Sequence, residues 1–488
     1  MNALKCVRGI AIIIRIAAQA AVWGGKNVEQ KETVTALLQR RSPLTGKEKL
    51  HALVRLSLPA ILAQLTSIMM QYIDAAMVGA LGANASAAIG VVSTSTWLLS
   101  GLCTACASGF SVQVAQRIGA GDEAGARSVV KHGCITALLF AFILAFTGGV
   151  ISPFLPGWLG ADRILHADAS GYFLIYVCAL PFLQMSLLGS YLLQCSGNMK
   201  VPSILNASMC GFDVIFNLIF IHFFGVIGAA IGTALAQAVV AAMMLYAALV
   251  RSPQLHLRKG EPFSFDPGIV QGMLRISLPM ALEHAALCGA QIASTRIIAP
   301  LGTISIAANS FAVTAESLCY MPGYGIGNAA TTLVGQSVGA RRKDLARSFA
   351  NMSAALGIGV MSAMAIVMYM VCPLVFELLT PDLQVRALAA EVLRIELFAE
   401  PLYAASIVAS GALRGARDTL IPSLLNLVSI WGVRIPLSLW LVGPMGLAGA
   451  WVAMAIELCV RGILLLIRQL RGRWLEVIGP GAEEKGRI

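Results

Sequence analysis

The sequence predicts an all-α integral membrane protein of about twelve transmembrane helices, arranged as two parallel-repeat halves of six. The first observation behind this prediction is composition: the 488 residues are 58% hydrophobic and only 12% charged, which excludes an ordinary soluble domain. The second is an internal duplication, because many identical residues recur 220 positions apart. Such pairs are Arg55 and Arg275, Pro59 and Pro279, Gln116 and Gln336, Gly119 and Gly339, Pro181 and Pro401, and Pro202 and Pro422.

Apolar stretches long enough to cross roughly 30 Å of hydrocarbon as helix occur in both halves. They start near residues 55, 87, 133, 171, 202 and 226, and again near 275, 304, 350, 387, 420 and 446. Because the number of spans in each half is even, the second copy enters the membrane from the same side as the first, and the repeat is parallel. Two apolar halves in one chain are typical of secondary transporters.

Lysine and arginine in the short loops predict the orientation in the membrane. One side of the predicted topology, which also holds both termini, carries Arg117, Arg127, Lys131, Lys200, Arg251, Arg258, Lys259, Arg341, Arg342, Lys343, Arg347 and Arg417. The opposite side has little more than Arg163 and Arg386. We therefore expect a multi-pass protein of the cell (inner or plasma) membrane with both termini cytoplasmic. The net charge of +11 follows from this topology, and no nucleic-acid partner is predicted.

The domain boundaries follow from the charged and proline-containing stretch in the middle of the chain. We expect a first lobe over residues 51–250, a cytoplasmic linker over 251–271, a second lobe over 272–470 and a cytoplasmic tail over 471–488. Residues 1–50 are predicted to form a cytoplasmic N-terminal segment, because their apolar run is interrupted by Arg15 and is too short to span.

Ionisable and polar residues inside the spans are the candidates for function, because a charged group costs at least ~2.5 kcal/mol at the centre of a span. In the first half, Asp74, Asp213, Asn217 and Thr233 lie at similar depths, roughly 9 to 15 Å below the external surface. Asp213 and Asn217 are four residues apart and share a helix face. Oxygen ligands suit a hard cation such as Na⁺, and two carboxylates close together in a low dielectric also favour taking up a proton. We predict a coupling site for Na⁺ or H⁺ at these four residues, and no other cofactor.

In the second half, five ionisable residues are predicted to serve a cavity or its gating. Glu283, Glu316 and Glu400 lie roughly 20 to 24 Å below the outer surface and are expected to line the inner part of a cavity. Arg434 and Glu457 lie at about 12 and 16 Å, close enough in depth to pair and to pin the eleventh span to the twelfth.

Several motifs between about Leu53 and Arg473 carry a family resemblance. They are residues 72–79 (YIDAAMVG), 114–121 (VAQRIGAG), 278–283 (LPMALE), 315–318 (AESL), 333–340 (LVGQSVGA), 411–419 (GALRGARDT) and 431–436 (WGVRIP). Together they resemble the multidrug and toxic compound extrusion (MATE) family, with the closest match to its DinF-like branch. The resemblance implies two six-helix lobes in a V around a central cavity. It also implies an antiporter that exports organic cations, drugs or toxic metabolites in exchange for Na⁺ or H⁺.

The resemblance extends to the coupling site. Asp74 matches the family's first-span aspartate, and Thr233 matches the hydroxyl that completes its site. The family's fifth span has Asn and then Asp four residues later, whereas here Asp213 precedes Asn217, which moves the charge one turn inward. The acidic residue that a different branch uses in the second lobe falls at Leu287.

Two other functional classes are weighed against transport of organic solutes. A flippase for lipid-linked precursors would need a cavity rich in Arg and Lys for phosphate, and the cations inside these spans are few. An intramembrane enzyme would need paired catalytic groups or a metal motif, and none is seen in the sequence. A narrow-specificity metabolite exporter stays open beside the drug antiporter. The predicted partners are membrane lipid and amphipathic, cationic small molecules, and the protein is expected to function as a monomer.

Overall fold

The computed structural model describes residues 44–258 and 264–478, and these are helical apart from short connections. In the first half, the α-helices are α1 Gly46–Gly79, α2 Ala83–Gly119, α3 Glu123–Ile151, α4 Leu155–Trp158, α5 His166–Cys195 and α6 Lys200–Tyr246. In the second half, they are α7 Pro267–Ile298, α8 Thr303–Gly339, α9 Lys343–Leu379, α10 Leu383–Leu397, α11 Glu400–Gly415, α12 Leu420–Ser429, α13 Ile435–Met445 and α14 Leu447–Arg471. The predicted N-terminal segment lies mostly outside the described residues, as do parts of the linker and of the tail.

The described part of the chain includes eight helices that are long and apolar enough to cross a membrane. They are Gly46–Gly79, Asn84–Gly119, Glu123–Ile151, Arg163–Cys195, Lys200–Arg251, Lys343–Glu377, Leu420–Met445 and Leu447–Arg471. Two of the stretches that the sequence predicts as separate spans fall together in α6, which turns sharply at Gly225 (φ 57°, ψ −129°). The span predicted from residue 387 is broken between α10 and α11.

Aspartates cap several helices where the chain enters them. The Asp122 side chain accepts a hydrogen bond from the Gly125 N–H at the start of α3, and Asp382 accepts from two N–H groups at the start of α10. Asp266 caps α7, whose first residue is Pro267. These side chains accept hydrogen bonds from N–H groups that have no partner within the first helical turn. Pro267 suits the first position of α7, because proline has no N–H that would need a partner there.

The chain divides into two compact units, each with its own apolar core. Among the described residues, the first unit comprises 44–45, Leu58–Val114, 122–258 and 264–265, and the second comprises Gly46–Ser57, Ala115–Gly121 and 266–478. The core of the first unit includes Ala88, Cys103, Phe173, Val177 and Leu180. The core of the second includes Cys319, Phe376, Val392, Leu393 and Trp451.

Large apolar side chains also cover the outside of both units. Phe146, Phe223, Met370 and Trp440 are well exposed on their helices. A water-soluble protein rarely shows so many large apolar side chains to solvent, whereas a bilayer solvates them.

One extra residue distinguishes the second half from the first. Lys200 and Leu420 begin equivalent helices 220 residues apart, but the sharp turns that follow lie at Gly225 and Gly446 (φ 59°, ψ −138°), which are 221 apart. Between Leu420 and Gly446 the chain forms a π-helical turn at Ile430–Arg434. Because a π turn holds one more residue than an α turn, it takes up the insertion. From Arg434, the last residue of this turn, equivalent positions in the two halves differ by 221.

Candidate functional site

Three of the residues predicted for the coupling site meet in the first unit. Nδ2 of Asn217 donates to Oδ1 of Asp74 at 3.1 Å and to Oδ2 of Asp213 at 2.9 Å. Asp213 and Asn217 lie one turn apart on α6, so that both reach Asp74 on α1. Their exposed fractions are 0% and 1%, respectively. The amide therefore bridges two carboxylates in a buried setting.

This carboxylate–amide cluster keeps two unused acceptor atoms. Oδ1 of Asp213 and Oδ1 of Asn217 are buried and have no hydrogen-bond partner within residues 44–258 and 264–478. Buried oxygens without a donor are rare in folded proteins and call for an unseen proton, ion or water. In those same ranges no group of three or more His, Cys, Asp and Glu side chains could hold a metal ion. The donor set of two carboxylates and an amide oxygen fits H⁺ or a hard monovalent cation rather than a transition metal.

A glycine permits the close packing behind Asn217. A Cβ added at Gly232 would collide with the Asn217 Oδ1 and would lie 2.9 Å from the Asn217 backbone nitrogen. Gly232 follows the sharp turn in α6, so the two parts of α6 meet at this point. The adjacent Thr233 is half-buried, and in the described part of the chain its hydroxyl makes no hydrogen bond to the cluster. Gly232 directly precedes the predicted site residue Thr233 in the sequence, but only the packing shows what the glycine does.

Tyr172 of α5 is a further neighbour that the sequence reasoning missed. Its phenol lies within electrostatic range of both Asp74 and Asp213. The residue also packs between the apolar core of the first unit and the contact of α2 with α6. A tyrosine inside an apolar span gives no sequence signal that separates a site residue from a core residue.

The duplicated counterparts of the four predicted coupling residues all line one cavity of about 40 Å³ in the second unit. The counterpart of Asp74 lies 220 residues further on, and the other three, from the last residue of the π turn onward, lie 221 further on. For Asp74, Asp213, Asn217 and Thr233 the counterparts are, in order, Ser294, Arg434, Ser438 and Met454. The second unit thus has an arginine where the first has an aspartate, and none of the four counterparts is acidic.

Glu283 is held by two side-chain donors. The Ser423 hydroxyl donates to Oε2 at 2.7 Å, and the Asn426 amide donates to Oε1 at 2.6 Å. Both carboxylate oxygens are therefore used in joining α7 to α12. The expected cavity role of Glu283 remains a prediction.

Glu457 has a different ion-pair partner from the expected Arg434. Glu457 forms its ion pair with Arg461, at 3.1 Å between Nε and Oε1, and accepts a hydrogen bond from the Ser429 hydroxyl at 2.8 Å. Arg461 lies one turn further along the same helix, which brings the two side chains onto one face. Depth along a span does not reveal which way a side chain points around the helix. Arg434 instead lines the cavity, within electrostatic range of Glu457.

Glu316 and Glu400 lie inside the second unit, with exposed fractions of 6% and 0%. They are within electrostatic range of each other, and both also lie near Glu396, which is not among the residues predicted for the second half. The available sequence signal is that Glu396 and Glu400 are four residues apart and that Pro401, a helix-breaking residue, directly follows Glu400.

The family model MatE matches residues 59–219 and 279–440, two segments that cover both repeats. The chain belongs to the MatE family. "Probable multidrug resistance protein NorM" of Thermotoga maritima is 25% identical over 431 residues, covering 86% of this chain and 92% of that protein. "Multidrug resistance protein PmpM" of Pseudomonas aeruginosa is 26% identical over 448 residues, covering 87% and 92%.

Solved structures agree on the fold. One, described as the outward-facing conformation of a multidrug resistance MATE family transporter, superposes with a TM-score of 0.85 at 21% identity and covers 92% of this chain and all of its own. A second, of a MOP superfamily transporter from Pyrococcus furiosus, gives a TM-score of 0.84 at 21% identity with the same coverage. The prediction of the MATE family is thus confirmed. The protein is a multi-pass membrane transporter, and its family is one of transporters rather than enzymes.

Proposed function

We propose that this MatE-family transporter is a secondary antiporter that exports amphipathic organic cations in exchange for Na⁺ or H⁺. The observation that carries the proposal is the buried cluster of Asp74, Asp213 and Asn217, in which one amide bridges two carboxylates and two oxygens have no donor. Thr233 supplies a nearby hydroxyl on the same part of α6 as Gly232. The names of the relatives favour drug efflux over a lipid-precursor flippase.

The mechanism follows from the cost of burying charge. Two carboxylates that share one amide donor repel each other in a low dielectric, and the arrangement is stable only when a proton or a cation offsets part of their charge. Entry of the coupling ion from outside neutralises the cluster and favours a different packing of α1 against α6. The ion shifts the conformational equilibrium only by its differential affinity for the two states. The exported compound leaves when the ion-bound state is favoured.

The finer features of the prediction belong to this proposal. They comprise about twelve spans, a V-shaped arrangement of two lobes over residues 51–250 and 272–470 joined by the linker 251–271, and membership of the DinF-like branch. They also comprise cytoplasmic termini, a plasma-membrane location and function as a monomer. Glu283, Glu316, Glu400, Arg434 and Glu457 are proposed to act in the second lobe as cavity or gating residues.

The test is efflux of a fluorescent organic cation, ethidium, from energised membrane vesicles. A Na⁺ pulse and a pH jump are applied separately to vesicles that hold the native chain, Asp74→Asn, or the matched control Asp162→Asn, whose side chain is exposed and caps no N–H. Ion-dependent efflux that is lost in Asp74→Asn and retained in Asp162→Asn supports the proposal. Coupled efflux that persists in Asp74→Asn would remove the cluster from the mechanism.

A further inference from the structure

A helix break in the second unit places two glutamates on either side of it. The helix α10 ends at Leu397, and α11 begins at Glu400. Pro401 leaves one helical hydrogen bond unmade here, because it has no N–H to donate to the Leu397 carbonyl. The chain tightens instead, with the Ala399 N–H donating to the Glu396 carbonyl at 2.6 Å. Glu396 and Glu400 thus flank a short discontinuity inside an otherwise helical span.

Both glutamate side chains are fully buried and lack hydrogen-bond partners. Each residue is 0% exposed, and none of their four carboxyl oxygens has a hydrogen-bond partner in the described ranges. Neighbouring residues Val392, Leu393 and Leu397 belong to the apolar core of the second unit. A carboxylate in such a place would be a buried charge without compensation, whereas a protonated carboxyl group is neutral.

The charges that face this pair do not neutralise it. The titratable and charged groups within electrostatic range of the pair are Glu316 and Cys319 of α8, Arg434 of the π turn and Cys459 of α14. Glu457 and Arg461 of α14 and Tyr403 of α11 lie next to Glu316 or Arg434 in turn. On α9, Cys372 faces Arg394 instead. Arg461 is taken by its ion pair with Glu457, and Arg434 lies within range of Glu316 as well as of Glu396. Together with Glu316 and Glu457, the pair makes four carboxyl groups beside two arginines, so that two carboxyl groups have no cation of their own.

The first half shows that the fold does not require these acids. The counterparts 220 residues earlier are Tyr176 for Glu396 and Leu180 for Glu400. There α5 continues unbroken past Pro181, and the Tyr176 hydroxyl donates to the Thr96 carbonyl at 2.9 Å. Thr96 is the counterpart of Glu316. In the first half the phenol at the position of Glu396 therefore has a hydrogen-bond acceptor, whereas in the second half the Glu396 carboxyl group has no partner among the described residues.

We propose that Glu396 and Glu400 form a proton-binding site across the helix break, resting on the antiport proposed above and adding a second proton carrier to it. In the conformation described here both carboxyl groups are protonated, each with an O–H bond formed from a carboxylate and one H⁺. They release these protons when a rearrangement of the break brings water or Arg434 to them. Discontinuous helices are the usual place for coupling ions in transporters, since a break both exposes backbone groups and permits movement. A metal ion is disfavoured, because the described side chains contain no group of three potential ligands.

The test is infrared difference spectroscopy on the purified full-length protein in liposomes, recorded between acid and alkaline pH. The variants are Glu396→Gln, Glu400→Gln and, as a matched control on the same helix, the exposed Glu391→Gln. We expect a carbonyl stretching band of a buried protonated carboxyl group, shifted by exchange into D₂O, that is diminished in each of the first two variants and unchanged in Glu391→Gln. Absence of the band from the native protein, or its persistence in both Glu396→Gln and Glu400→Gln, would overturn the proposal.

A transport assay distinguishes a failure of this proton-binding site from a failure of the proposed antiport. The same variants are compared in ethidium efflux driven by a pH jump, and each is first checked for monodispersity on size-exclusion chromatography. We expect loss of H⁺-driven efflux in Glu396→Gln, retention in Glu391→Gln, and partial recovery in Glu396→Asp, which restores the acid. Normal H⁺-driven efflux in Glu396→Gln would overturn the carrier role even if the band were present. Absence of efflux from the native chain would contradict the antiport, while the infrared band would still decide whether the protons are bound.

Discussion

Replacing Gly232 with alanine tests the packing that holds the carboxylate–amide cluster together. The added Cβ would collide with the Asn217 Oδ1 and would lie 2.9 Å from the Asn217 backbone nitrogen and 3.1 Å from its Cα. A rotamer change can move the side-chain oxygen but not the backbone atoms, so one part of α6 must shift away from the other. Overpacking of this kind costs about 1–3 kcal/mol of folding free energy.

Gly211 on the same helix provides the matched control. No atom lies within 4 Å of a Cβ added there, and its backbone is helical. Gly211→Ala should therefore stabilise the helix by up to about 1 kcal/mol through helix propensity. The two variants, which make the same chemical change, are thus expected to differ by about 1–4 kcal/mol in opposite directions from the native protein.

The assay heats detergent-solubilised protein and measures the fraction that stays monodisperse on size-exclusion chromatography. We expect a lower midpoint temperature for Gly232→Ala and an unchanged or higher one for Gly211→Ala. Ion-driven efflux should fall in Gly232→Ala, because displacement of Asn217 separates the amide from the two carboxylates. Equal midpoints and equal efflux in the two variants would refute the contact between the two parts of α6.

Three further predictions concern the second unit. Glu283→Ala removes the acceptor of two donors and should destabilise the protein by about 1–3 kcal/mol, with Glu283→Gln less affected; equal thermal midpoints would contradict the contact. Glu457→Ala leaves Arg461 buried without its partner and should cost about 3–5 kcal/mol, and the double variant with Arg461→Ala should recover part of the loss in a thermal double-mutant cycle. On the surface, the Arg342 guanidinium donates two hydrogen bonds to Asp344, and these lower the pKa of the Asp344 carboxyl. The small stabilisation from this pair is therefore present at neutral pH and is lost as pH falls through that lowered pKa. Because the pair is exposed, Asp344→Asn should leave the thermal midpoint at pH 7 nearly unchanged, and a large drop would contradict this.

Helical spacing alone was sufficient to anticipate part of the site. The four-residue separation of Asp213 and Asn217 predicts that they share a face, and in the structure the Asn217 amide donates to both Asp213 and Asp74. Depth along a span was a weaker guide. Similar depth predicts a pair of Glu457 with Arg434. The direction in which each side chain points around the helix axis instead places Glu457 beside Arg461.

Other features of the site follow only from the three-dimensional path of the backbone. The role of Gly232 depends on how α6 folds back at Gly225, which no local pattern specifies. The unpaired state of Glu396 depends on which donors come near it from other helices. The 220-residue repeat revealed the duplication, but the point at which its register changes shows only in the π-helical turn.

The π turn at Ile430–Arg434 also explains how two copies of one ancestral unit came to differ in the sign of charge at equivalent places. An inserted residue turns the following part of a helix by about 100°. Without it, the positions that match Asp213 and Asn217 would be held by Val433 and Leu437, both apolar. With it, Arg434 and Ser438 occupy them. A difference of one residue between the two halves is thus sufficient to change a whole helix face at once, a larger step than any one substitution takes.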